Sequence, residues 1–303
     1  MKIGIIGGGS LGLLWATRMS EYADVTLICK SEQQAEVIRR DGVILTTLNG
    51  QKIRYRVTAE WIDEFNHSAG FDVLFLMTKQ PALNRVLSII PSFTHEQTHV
   101  IAWQNGLGHV EKLRACSYSN SYAVVTTEGA RKISVNHVHH TGNGYVRIGS
   151  VNQIQEDAID PLFLSLMQSI GIQWVEDIER YMWQKFAINV VINPLTALLE
   201  IPNGKLMEIE TQTIIKQLIK ELCLVADAKG FYLNQTEIYQ QVSEVCFMTS
   251  KNLSSMLQDI RNKRQTEIDS LNGIVVSYAD QLRLAVPTHI ALTELIKAKS
   301  MLF

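Results

Sequence analysis

The stretch Lys2-Ile3-Gly4-Ile5-Ile6-Gly7-Gly8-Gly9-Ser10-Leu11-Gly12 decides the fold. Residues 2–6 form a short apolar run of strand type. Directly behind it Gly7, Gly9 and Gly12 match G-x-G-x-x-G, and an apolar helical pattern follows over 11–21. A bare match carries little, but between a strand and a helix it is the fingerprint of a Rossmann-type dinucleotide fold. Gly7 permits the tight turn, Gly9 lets the backbone approach a pyrophosphate, and Gly12 allows the helix to pack closely on the strand. Ser10 and Leu11 open the helix, whose free N–H groups and dipole favour an anion. A nicotinamide-dependent oxidoreductase is therefore expected, with Gly7, Gly9, Ser10, Leu11 and Gly12 at the cofactor.

Outward from this motif, strand and helix patterns alternate. Residues 25–29 read as a strand and 32–40 as a helix. Further strands are expected at 72–77, 99–103 and 122–127, with helices at 82–90 and 109–115. Residues 43–57 read as an inserted hairpin turning at Asn49-Gly50, and 133–148 as another turning around Gly142-Asn143-Gly144. After about Val175 long helical periodicity takes over, so the boundary is placed near Glu176. Residues 1–176 then form the dinucleotide domain and 177–303 an all-helical domain. Pro194, Pro202-Asn203-Gly204, Lys229-Gly230 and Pro287 divide the latter into four or five helices. The fold class is α/β, a doubly wound sheet followed by an all-helical C-terminal domain.

The 303 residues are 46% apolar and 19% charged, enough for two cores. With 28 basic against 30 acidic residues and no long basic run, nucleic acid is excluded as a partner. The four cysteines form no CxxC pair, which suits reduced thiols in the cytoplasm. Glycines interrupt the apolar start, unlike a signal peptide, and no apolar run of about 20 residues suggests a membrane span. His137, His139 and His140 are read as a solvated strand face rather than a metal site, since no Cys or carboxylate joins them. Arg261, Lys263 and Arg264 read as a solvated turn.

Two features carry chemistry beyond the glycine motif. Where NAD-specific sites place an acidic residue at the end of the second strand, this chain has Lys30, a cation suited to the 2′-phosphate of NADP(H). In Trp183-Gln184-Lys185-Phe186-Ala187-Ile188-Asn189-Val190-Val191-Ile192-Asn193-Pro194, the residues Lys185, Asn189 and Asn193 fall at i, i+4 and i+8. They share one face of an otherwise apolar helix, a polar stripe suited to lining a substrate cleft. A buried lysine with a lowered pKa could protonate the alkoxide formed when hydride reaches a ketone. Farther on, Asn252 and Ser255 are i, i+3 and are expected on one helix face, ahead of Thr266-Glu267-Ile268-Asp269.

These stretches, 185–197 and 252–273 with Pro202-Asn203-Gly204, resemble the ketopantoate reductases (2-dehydropantoate 2-reductases), especially the enterobacterial type. The resemblance implies NADPH-dependent reduction of 2-dehydropantoate to (R)-pantoate in pantothenate synthesis. It makes Lys185 the general acid and Glu267 the carboxylate that engages the substrate hydroxyl, next to the cofactor. It makes Asn189, Asn193, Asn203, Asn252 and Ser255 substrate ligands. Thr78-Lys79-Gln80 and Gln104-Asn105-Gly106 resemble two cleft loops, so Lys79 and Asn105 would meet cofactor and, for Asn105, substrate. A monomer or homodimer with a small-molecule substrate is expected. Lys30 stands where the family commonly has arginine, so weaker NADP selectivity is expected. Glu128 stands where relatives are usually uncharged, and the sequence gives it no role. Alternative readings are a reductase of another branched 2-keto or hydroxy acid, and a non-catalytic NADP sensor. A continuous helix would hold Ser255 and Glu267 about 18 Å apart, so a break is expected between Gln258 and Glu267, with Thr266 as the next N-cap.

Overall fold

The computed structural model describes residues 1–65, 70–116 and 118–302. The chain divides into two compact units, one of Met1–Gln104 with His109–Ile178, the other of Asn105–Gly108 with Glu179–Phe303.

The first unit runs β1 (Lys2–Ile6), α1 (Ser10–Met19), β2 (Asp24–Cys29), α2 (Glu32–Asp41), β3 (Val43–Thr46), β4 (Lys52–Tyr55), β5 (Thr58–Trp61), β6 (Val73–Leu76), α3 (Leu83–Ile89), β7 (His99–Ala102), α4 (His109–Ala115) and β8 (Ser121–Thr126). It continues with β9 (Gly129–Ser134), β10 (His137–Gly142), β11 (Val146–Ser150), α5 (Pro161–Ser169) and β12 (Gln173–Trp174). Eight strands form one sheet in the order β12-β11-β8-β7-β6-β1-β2-β5, all pairs parallel except β8 with β11. The inner strands β6 and β7 are buried at every residue, the continuous apolar pattern of a sheet covered on both faces. From β1 the chain winds outward through β2, then returns to β6 on the other side of β1. Such a reversal opens a crevice at the carboxyl ends of the strands, and the glycine loop leaves β1 there.

A second sheet, β4-β3-β10-β9, accounts for the insertions. The hairpin of β3 and β4 turns at Asn49-Gly50, with Gly50 in the left-handed region at φ +84. The second expected hairpin turns elsewhere. β10 pairs with β9 through Val135-Asn136 and with β3, while β11 belongs to the large sheet beside β8. Gly144 serves close approach instead of a hairpin turn, since a Cβ there would meet the Thr127 carbonyl carbon at 2.3 Å. The segments expected at 2–6, 25–29, 72–77, 99–103 and 122–127 are strands within a residue or so of those limits. β5, α5 and β12 were not anticipated.

The second unit is helical: α6 (Ile178–Leu199), α7 (Gln212–Ala228), α8 (Gln235–Met248), α9 (Ser255–Arg261), α10 (Asn272–Leu282) and α11 (Pro287–Ser300). The six helices exceed the expected four or five, and Pro194 does not end one: it lies inside the 22-residue α6. Proline has no N–H, so the Val190 carbonyl four residues back loses its helical donor. The fully buried Asn272 on α10 supplies the replacement, its Nδ2 donating to Val190 O at 3.0 Å. Among the described residues no helix is long and apolar enough to cross a membrane.

Candidate active site

In the first unit the glycine loop has the form an incoming phosphate needs. Gly7 is at φ +124, which disfavours any side chain, and a Cβ on Gly12 would meet Gly7 O at 1.8 Å. Gly9 is different: a Cβ there meets nothing within 4 Å, so the space above it is open. Gly9 is also the N-cap of α1 and gives no side-chain cap to the helix amides. Open space facing uncapped N–H groups at a helix start is an anion cradle. Ser10 and Leu11 are partly buried at this helix start, and Lys30 is exposed just past β2.

The carboxyl ends of β6 and β7 add polar groups. Lys79 is exposed and N-caps a single 3-10 turn, Gln80–Ala82. The buried Gln104 donates through Nε2 to Leu76 O at 2.7 Å and Thr78 O at 3.2 Å, crossing from the end of β7 to that of β6. Its Oε1, and Thr78 Oγ1, are buried without a hydrogen-bond partner in the chain. Such atoms carry an unmet desolvation cost, and a polar ligand in the crevice would supply it with partners. The residues present thus fit a nicotinamide dinucleotide. The sequence places Thr78 and Gln104 in the two cleft loops but gives them no role, because only the packing shows that these atoms are unsatisfied.

The second unit holds the expected polar stripe. Lys185, Asn189 and Asn193 lie on one unbroken helix, α6, each partly exposed, while Phe186, Val190 and Leu195 are buried. Lys185 Nζ donates to Asn105 Oδ1 at 2.8 Å. Asn105 begins the tetrapeptide Asn105–Gly108, whose Gly106 and Gly108 are both left-handed, at φ +86 and +89. Burial pushes the Lys185 ammonium down to about 8, opposed by the charge of Glu267. By surface area the residue is only partly buried, so desolvation acts on the ammonium end rather than on the whole chain. Glu267 is partly buried as well and lies within electrostatic range of Lys185.

The helix breaks where expected: α9 ends at Arg261, and Glu267 begins a 3-10 turn, Ile268–Ser270, ahead of α10. Arg264 holds the intervening turn, its Nε donating to Asp259 Oδ1 at 3.0 Å. Thr266 is not the cap; it is buried, and Glu267 occupies the N-cap position without a side-chain cap bond. Asn252 and Ser255 do not share a helix face either, because Ser254 caps α9 and leaves Asn252 two residues outside. Ser254 Oγ accepts from Leu257 N at 3.2 Å and from Thr196 Oγ1 at 2.7 Å, fixing the start of α9 against α6 one turn from Asn193. Both Asn252 and Ser255 are exposed. Asn203 has a structural role: it is 7% exposed, donates from Nδ2 to Thr249 Oγ1 at 2.9 Å and from its backbone to Asn252 O at 2.9 Å. Its Oδ1 is buried without a hydrogen-bond partner in the chain, so those two bonds leave its reading as a substrate ligand open.

Glu128 acquires a role. Its side chain is 5% exposed and pairs with Arg18 on α1 at 2.7 Å, with His140 Nε2 3.6 Å away. His140 is accordingly buried instead of solvated, while His137 bonds Thr46 Oγ1 at 2.7 Å and His139 is half-buried. Among the described residues no group of three His, Cys, Asp or Glu could hold a metal.

Residues 3–153 match the family model described as ketopantoate reductase PanE/ApbA, and residues 177–300 that of its C-terminal region. The chain is 33% identical over 281 residues to a 2-dehydropantoate 2-reductase of Bacillus subtilis, covering 92% of this chain and 91% of that one. A crystal structure described as a probable 2-dehydropantoate 2-reductase from B. subtilis superposes with a TM-score of 0.85 at 32% identity, covering 99% and 100%. The structure of D-mandelate dehydrogenase with NADH and anilino(oxo)acetate gives 0.92 at 25% identity, covering 99% and 98%.

Proposed function

Since the chain belongs to the ketopantoate reductase family, and so reduces 2-dehydropantoate to pantoate with a nicotinamide dinucleotide, we propose that the dinucleotide is NADPH and that Lys185 delivers the proton. The observation carrying this reading is the Lys185 ammonium, hydrogen-bonded to Asn105 and pushed down to about 8 by burial. When bound, the cofactor supplies a hydride to the keto carbon. Lys185 then holds a proton for the alkoxide oxygen that results, and a group of pKa near 8 is still largely protonated at neutral pH yet a better donor than an ordinary lysine. Asn105 orients the ammonium. Glu267 accepts a hydrogen bond from the substrate hydroxyl and offsets the charge of Lys185, while Asn189, Asn193, Asn252 and Ser255 are polar ligands for the carboxylate and ketone. Phosphates are held by Gly9, Ser10 and Leu11 at the start of α1, with Lys30 at the adenosine end and Lys79 beyond β6.

The test compares NADPH with NADH as reductant of ketopantoate, in wild type and in Lys30→Glu. A charge-assisted contact contributes about 1.5–3 kcal/mol, so the variant should weaken NADPH far more than NADH; equal losses would reduce Lys30 to a strand-end charge. A second reading, an NADH-dependent reductase of another 2-keto acid, draws on the likeness to D-mandelate dehydrogenase. Higher kcat/KM with NADH and an aryl keto acid than with NADPH and ketopantoate would favour it.

A further inference from the structure

Lys132 lies on β9, the edge strand of the small sheet, and reaches the glycine loop twice. Its backbone N–H donates to Ser10 Oγ at 3.0 Å, and its ammonium donates to Gly8 O at 2.8 Å. The residue as a whole is exposed, while its ammonium makes a partly buried contact with Gly8 O. The ammonium also interacts electrostatically with the thiol of Cys29, the last residue of β2, next to Lys30. It therefore lies against Gly8 and within electrostatic range of the end of β2, the two backbone segments that border the adenosine ribose in this class of fold.

A purely structural role accounts poorly for this placement. The Gly8 carbonyl already accepts from Gln34 Nε2 at 2.9 Å, and the same amide ties in Val135 O at 2.6 Å. Among the described residues Lys132 has no carboxylate partner, nor has Lys30. Burial holds the Lys132 ammonium below the usual lysine range. A half-desolvated cation without a counter-ion is costly unless an anion completes it.

We infer that Lys132 is a second specificity-determining residue for the 2′-phosphate of NADPH, paired with Lys30 across the adenosine end of the cofactor site. The inference rests on the NADPH reading above. Two ammonium groups match the roughly −1.5 to −2 charge of a phosphomonoester, and the second offsets the lack of a guanidinium fork at position 30. The strand that carries Lys132 is inserted between β8 and β11, so specificity comes partly from outside the βαβ unit that holds the glycine motif.

Dissociation constants of NADPH and NADH, and of 2′,5′-ADP and 5′-AMP as fragments isolating the 2′-phosphate, should be measured for wild type, Lys132→Ala and Lys132→Arg, with melting temperatures alongside. Lys132→Ala should weaken NADPH and 2′,5′-ADP by about five- to twentyfold, as for a partly screened charge-assisted contact, while NADH and 5′-AMP change by less than about twofold. Lys132→Arg should restore most of the loss. If Lys132→Ala weakens both members of each pair equally, the lysine acts on the loop or the pyrophosphate, and the inference fails while the NADPH reading stands. If wild type binds NADPH no better than NADH, the NADPH reading itself is wrong and the inference falls with it.

Discussion

Lys185 makes a prediction in two coordinates. Lys185→Ala should lower kcat by roughly 10²–10⁴ with NADPH affinity nearly intact, the signature of a lost general acid. Near-normal turnover in that variant would remove the lysine from the chemistry. Its pH dependence has a definite sign: the protonated form is the active one, so kcat/KM should be flat below about 8 and fall tenfold per pH unit above it. Glu267 predicts a selectivity change. Trimethylpyruvate differs from ketopantoate only in lacking the hydroxyl, and it would leave the carboxylate desolvated without its hydrogen bond. Glu267→Ala should therefore shrink the preference for ketopantoate by at least about tenfold, or 1.4 kcal/mol; an unchanged ratio of kcat/KM values would mean that Glu267 does not read the hydroxyl. Glu128 shows what a single residue cannot announce. Its partner Arg18 lies 110 positions away, so the sequence around Glu128 gave no local sign that it closes a buried ion pair.

Among the elements, the glycine loop separates fold from function. Gly12→Ala would drive a Cβ to 1.8 Å from Gly7 O, and overpacking of that kind costs about 1–3 kcal/mol, so thermal stability and cofactor binding should fall together. Gly9→Ala meets nothing within 4 Å. It should leave the folding stability within the roughly ±0.5 kcal/mol range of neutral surface changes while raising the Kd for NADPH, because the new methyl group occupies the space above the helix start. A large stability loss in Gly9→Ala would show that the loop, not the ligand, requires glycine there. Local signals were the legible ones. The βαβ rhythm, the Asn49-Gly50 turn and the polar face of α6 all follow from spacing within a few residues. Pro194 and the Gly142–Gly144 segment were misread because distant partners decide them: Asn272, 82 positions beyond the Val190 carbonyl it satisfies, repairs the helix that Pro194 would open, and β3 recruits β10 into a sheet about 90 residues after its own strand. The break before Glu267 was visible as well; the place of Asn252, set outside α9 by the Ser254 cap, was not.

For the whole molecule, the helical unit is not a single stretch of chain. Its residues after 178 carry Lys185, Asn189, Asn193, Asn252, Ser255 and Glu267, but the oxygen that receives the lysine's hydrogen bond comes from Asn105, in a tetrapeptide that leaves the dinucleotide unit at Gln104 and re-enters it at His109. Gly108 is seated against Ile274 on α10, where a Cβ would come within 3.3 Å, so the tetrapeptide fits its own helices and not helices in general. Recombination between homologues is therefore constrained. A chimaera with one crossover at 178 inherits Lys185, the proposed proton donor, from one parent and Asn105, which accepts its hydrogen bond, from the other. Joined to a homologue with a different residue at position 105, such a hybrid should fold and bind NADPH yet turn over at least about tenfold more slowly, as expected for a misoriented acid. Grafting residues 105–108 of this chain into the hybrid should restore kcat, and failure to do so would show that the tetrapeptide is only a loop. Exchanging the helical unit of this protein thus takes two pieces of gene, one of them only four codons long.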